Sequence, residues 1–90
     1  MSLEKLVSKY IASAEHVLSE VQIADAHTQV GADAAGRIVE VAKAYLEDAK
    51  YYRDKKKNEV SLASVAYCEG LLDALKLLGV VKFEWPAKKK

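Results

Sequence analysis

Residues 42–79 read AKAYLEDAKYYRDKKKNEVSLASVAYCEGLLDALKLLG. Two apolar periodicities flank a short basic break, and the second closes on a glycine. That is the pattern of a helical hairpin. The upstream half extends back to Ile38 and Val39. These two, with Ala42, Tyr45, Leu46, Ala49 and Tyr52, recur at three- and four-residue steps and predict a helix over about 34–54. Glu40, Lys43, Glu47, Lys50 and Asp54 alternate in sign on the opposite face, and each such pair supports an exposed helix by about 0.3 kcal/mol. Asp48 falls outside that charged row, at the edge of the apolar face. Lys55, Lys56 and Lys57 end the helix and complement its dipole. Asn58 is expected to cap the next one.

The downstream half predicts a helix over about 59–78 that is apolar nearly all round. Only Glu69, Asp73 and Lys76 form a polar strip, roughly 60° wide and shared with Leu62. Val60, Ala63, Tyr67, Gly70, Leu71, Ala74 and Leu78 fill the far side. Such a helix is expected to touch two neighbours and to be the central contact of the domain. Gly70 costs about 1 kcal/mol relative to Ala in mid-helix. Close approach of another helix backbone is its expected compensation. Gly79 is the expected C-terminal cap, with Val80 folding back on the last turn.

Upstream, Leu3, Leu6, Val7, Tyr10, Ile11, Ala14, Val17, Leu18, Val21 and Ala24 predict a first helix over about 2–27, with Ser2 as its cap. His16 and His27 fall on its outer face, about 16 Å apart, too far to share one metal. Residues 28–33 form the connection, where Gly31 is expected in a left-handed cap and Asp33 is expected to cap the second helix. Downstream, Val80–Trp85 is too short for an independent sheet and is expected to lie across the helices, anchored by Phe83 or Trp85. Pro86 ends it, and 87–90 is expected to be a disordered basic tail. The predicted architecture is therefore all-α: a single three-helix bundle over residues 1–86, with a short C-terminal extension packed on it.

The totals agree. Ninety residues support one core, and 51% hydrophobic with 30% charged residues is the balance of a soluble globular chain. Net charge is +1, split as −3 over residues 1–36 and +4 over 37–90, a mild asymmetry that salt screens. The lone Cys68 cannot form an internal disulfide, which fits a reducing cytoplasm. No apolar run approaches the roughly 18 residues of a membrane span, and MSLEKLVSKY lacks an apolar export core.

Tyr45-Leu46-Glu47-Asp48-Ala49-Lys50-Tyr51-Tyr52, then Ala63, Tyr67-Cys68-Glu69-Gly70-Leu71-Leu72-Asp73-Ala74 and Leu78-Gly79 resemble the archaeal domain-of-unknown-function family 357. The resemblance covers about half the chain. It implies a three-helix fold and an archaeal source, in short proteins or in a helical segment attached to a nucleotidyltransferase-like domain. It implies no activity. The residues that carry it and need a role, structural or functional, are Tyr45, Asp48, Tyr52, Tyr67, Glu69, Gly70 and Asp73.

Among these, Asp48, Glu69 and Asp73 are the candidate site. In an antiparallel hairpin turning near 55–58, Asp48 stands level with Val65, one turn from Glu69. Clustered carboxylates can bind a divalent cation or hold a raised pKa. The plainer reading is that Asp48 accepts a tyrosine hydroxyl and that Asp73 pairs with Lys76 or stays solvated. The chain carries no Gly-rich phosphate loop, no HExxH and no CxxC to accompany such a cluster. Cys68 lacks a base nearby and reads as a small core residue. Lys55–Lys57 are candidate phosphate contacts, but no aromatic platform is interleaved with them. The expected function is thus a cytoplasmic, non-enzymatic interaction or accessory module without a cofactor or membrane segment. Its partner is an unidentified protein, with self-association a milder form of the same idea. A nucleic-acid accessory role and a small-ligand or metal site rank behind it.

Overall fold

Ser2 starts the first helix as expected: its Oγ accepts the Lys5 amide at 3.1 Å. The computed structural model describes residues 2–23 and 31–86. Within them, α1 spans Leu3–Glu20, α2 Ala32–Asp54 and α3 Asn58–Leu77, and the two-residue strands β1 (Gln22–Ile23) and β2 (Val81–Lys82) pair antiparallel. The predicted all-α, three-helix architecture stands. His27 and the basic tail at 87–90 lie outside the described residues.

The first helix is shorter than predicted, ending at Glu20 rather than near residue 27. Val21 turns to an extended backbone (φ −63°, ψ 137°), and Gln22 and Ile23 pair with Lys82 and Val81. The ladder takes over the backbone bonding that further helical turns would have supplied, while Val21 still packs against the core. The helical periodicity therefore ran past the true end, because Val21 reaches the same core from either conformation.

The start of α2 is two residues earlier than predicted, and Gly31 is not a left-handed cap. It is the extended N-cap of α2 (φ −71°, ψ 163°), and it makes no side-chain cap bond. Asp33 sits inside the first turn, where its charge complements the helix dipole. Asn58 is likewise not a cap but the first residue of α3; Lys57 is the N-cap, its carbonyl accepting the Ser61 amide at 3.0 Å.

Helices α2 and α3 end in the same hydrogen-bonded motif. After α3, the Val80 amide donates to Leu75 O (3.2 Å) and Gly79 to Lys76 O (3.0 Å), with Gly79 left-handed at φ 77°. After α2, Lys57 donates to Tyr52 O and Lys56 to Arg53 O, both at 2.9 Å, with Lys56 left-handed at φ 64°. Glycine adopts that conformation freely, whereas a side chain strains it by about 1 kcal/mol. Lys56→Gly is therefore expected to raise the melting temperature by roughly 4–8 °C, measured by thermal circular dichroism.

The core takes Val7, Ile11, Ala14 and Val17 from α1, Ala35, Val39, Ala42, Leu46 and Ala49 from α2, and Val65, Cys68, Leu72 and Leu75 from α3. Val80, Val81 and Phe83 close it from the C-terminal segment, as the sequence leads one to expect. Buried Ser61 ties the hairpin together by donating to Ala49 O at 2.6 Å. Lys50, read from the sequence as an exposed-face residue, is half-buried and bridges α1 and α2 by pairing with Glu15 and, at 3.3 Å, with Glu47. The Glu15 hydrogen bond is the main cause of its raised pKa.

Candidate docking face on the helical hairpin

Helix α3 packs against both α1 and α2, yet both neighbours meet the same side of it. Its buried residues Ser61, Val65, Cys68, Leu72 and Leu75 fall within an arc of roughly 80°. Directly opposite, Ala63, Ala66, Gly70, Ala74 and Leu77 form an exposed line. The expectation that the far side of α3 is covered is thus corrected. Leu77 is 89% exposed and Tyr67 54%, and Val60 and Leu78 are also open. Gly70 is exposed, and a Cβ added there would meet nothing within 4 Å, so no described helix crosses closely at this point.

Helix α2 extends this surface. The Tyr45 and Tyr67 rings meet edge-on, their centroids 4.4 Å apart, across the outer groove of the hairpin. Val41 lies exposed one turn before Tyr45. Tyr51 is also exposed; its ring meets half-buried Tyr52 edge-on at 5.1 Å, and Lys55 Nζ lies 5.4 Å from its centroid. The polar strip of Glu69, Asp73 and Lys76 is not the outward side of α3 but one edge of it.

The three candidate carboxylates do not form one cluster, although Glu69 and Asp73 stand one turn apart on the same edge of α3. Asp48 is exposed on α2 and, contrary to expectation, accepts no tyrosine hydroxyl among the described residues. Glu69 is half-buried on the polar edge of α3; it and Tyr67, two residues apart, point about 160° apart round the axis. Asp73 pairs neither with Lys76 nor with solvent alone. Its Oδ1 accepts the Trp85 indole N–H at 2.6 Å, while Lys76 turns to Glu84 at 3.6 Å and to the Phe83 ring at 5.1 Å. Sequence reading missed this link because it depends on where the C-terminal segment returns. Among the described residues, no three His, Cys, Asp or Glu side chains lie close enough to hold a metal ion, and there is no pocket.

Of the remaining candidates, Cys68 is buried, and desolvation, aided by the charge of Glu69, pushes its thiol up to about 11. It stays protonated at neutral pH and is a packing residue. Lys55, Lys56 and Lys57 are exposed around the α2–α3 turn, Lys56 lying 3.7 Å from Glu4. His16 pairs with Glu20 at 3.3 Å on the outer side of α1. No described helix is long and apolar enough to cross a membrane.

Comparison with known proteins gives one match. No curated protein and no solved structure matches the chain. The family described as "Protein of unknown function (DUF357)" matches residues 9–81, which include most of α1, the whole hairpin and the first residue of β2. The match extends well beyond the hairpin motif, and the chain belongs to the DUF357 family.

Proposed function

We propose that the chain is a non-enzymatic interaction module of the archaeal cytoplasm that presents the outer side of the α2–α3 hairpin to another protein. The observation that carries this reading is the exposed apolar line on α3. A helix at a protein surface normally turns its charged face to water. Here the line most remote from the core is Ala63, Ala66, Gly70, Ala74 and Leu77, with Tyr67, Val60 and Leu78 open beside it. Contiguous apolar surface of this kind marks interaction sites. The burial of Cys68 as a thiol supports a reducing compartment.

The test is a photo-crosslinking amino acid placed at position 77 in native cells, with one at exposed Lys9 on α1 as the control. A protein adduct from position 77 and none from position 9 is expected. Equal adducts from both positions, or none from either, would remove the reading.

A further inference from the structure

We infer that the occupant of this face is a second copy of the chain, its α3 crossing the first antiparallel about a two-fold axis at Gly70; this rests on the docking reading above. In such a crossing, a residue a given number of positions before Gly70 meets the residue about as many positions after it, on the same flank. Ala63 and Leu77 lie seven positions to either side of Gly70. Tyr67 lies three before and Ala74 four after. Val60 and Leu78 lie ten before and eight after, on one flank. The face therefore sets Leu77 between Ala63 and Ala66 near the centre line, Tyr67 against Ala74, Asp73 at the edge beside Ala66, and one aliphatic against another at each end. It is complementary in size to itself. An unrelated helix could also lie on an apolar line, but it would leave this matching of sizes about Gly70 without a cause.

Gly70 supplies an independent observation. The fold does not use its missing side chain, since a Cβ there meets nothing within 4 Å. At the centre of a two-fold crossing, where two backbones approach most closely, a glycine has a use. Charge permits the contact as well. Identical faces bring identical charges together, at a cost. The line from Ala63 to Leu77 contains no charged residue, Glu59 lies beyond it at the helix start, and Asp73 at its edge is held by the Trp85 indole. The hairpin offers about 30 Å of α3 by roughly 20 Å across two helices, about 600 Å² per partner, the low end of the range for stable interfaces.

Sedimentation equilibrium of the full chain tests the inference, with Gly70→Leu as the decisive variant. Leucine enters open space within the chain and favours helix over glycine, so the melting temperature, read at low concentration, should hold or rise. The wild-type chain is expected to dimerise at micromolar concentration, and Gly70→Leu to weaken dimerisation by at least about tenfold. A wild-type chain that stays monomeric at high micromolar concentration overturns the second copy, as does a dimer that Gly70→Leu leaves intact. If the chain is monomeric while position 77 crosslinks a different protein, the copy falls and the docking reading stands. With no crosslink either, both fall.

Discussion

Leu72→Ala is expected to lower the free energy of unfolding by about 3 kcal/mol, whereas Leu77→Ala on the same helix should change it by less than about 0.5 kcal/mol. Leu72 is fully buried within the core, with α1 and α2 packed on its side of α3. Truncation there removes the transfer free energy of the lost carbons and leaves a cavity that a packed core fills only in part. Leu77 loses almost no contact, being 89% exposed. A chain of this size has about 5–13 kcal/mol to lose, so Leu72→Ala should drop the melting temperature by more than about 10 °C. Urea titration at low protein concentration measures both variants. A changed midpoint with an unchanged slope for Leu72→Ala, and neither changed for Leu77→Ala, is the expected result. A large loss on Leu77→Ala would mean that α3 buries its outer side within one chain.

Phe83→Ala should cost about 3 kcal/mol and release the C-terminal segment. Phe83 is 8% exposed, its ring lies edge-on to Trp85 with centroids 5.2 Å apart, and Lys76 Nζ covers its other surroundings at 5.1 Å. Removing the ring takes away one support of Trp85, while the indole bond to Asp73 is kept. Trp85 is the only tryptophan of the chain, so its emission reports the segment directly. A red shift in Phe83→Ala under native conditions, together with an earlier denaturation midpoint, is expected. Unshifted emission would show that the segment stays docked without the Phe83 ring.

These two predictions concern parts of the chain that its sequence discloses unequally. The helices were legible because each buries a stripe whose spacing survives any detail of packing: Val7, Ile11, Ala14 and Val17 on α1, or Ala35, Val39, Ala42, Leu46 and Ala49 on α2. Periodicity reports which side chains avoid water, not what covers them. For α3, apolar nearly all round, the same pattern is produced by two neighbours on opposite sides or by one core and one open face. Exposed Gly70 and Leu77 show that α3 has one core and one open face. The ends of elements failed for a related reason. Val21 belongs to the apolar stripe of a longer α1, but the ladder that stops the helix depends on Val81 and Lys82, which no local rule connects to it. Asp73 was legible as a polar residue needing a partner, but its partner arrives from Trp85, twelve residues on and across a turn. The carboxylate trio resembled a site because Asp48, Glu69 and Asp73 are close in register. Asp48 instead faces outward from α2, Glu69 is half-buried at the edge of α3, and Asp73, one turn on, is taken by the Trp85 indole.

The ladder between Gln22–Ile23 and Val81–Lys82 also sets an order of events. Its strands are sixty residues apart in the chain, and bringing such distant segments together costs about 4 kcal/mol of chain entropy. Two pairs of residues return less than that, at about 1 kcal/mol per hydrogen bond. The ladder cannot nucleate anything. The hairpin can, because its contacts are near in sequence; Ser61 and Ala49, which it bonds, are only twelve residues apart. The kinetic hierarchy is then hairpin first and ladder last, and in the native state the ladder is the first place to open. Such an opening exposes the ladder's bonded amides to exchange while leaving the far side of α3 as it was.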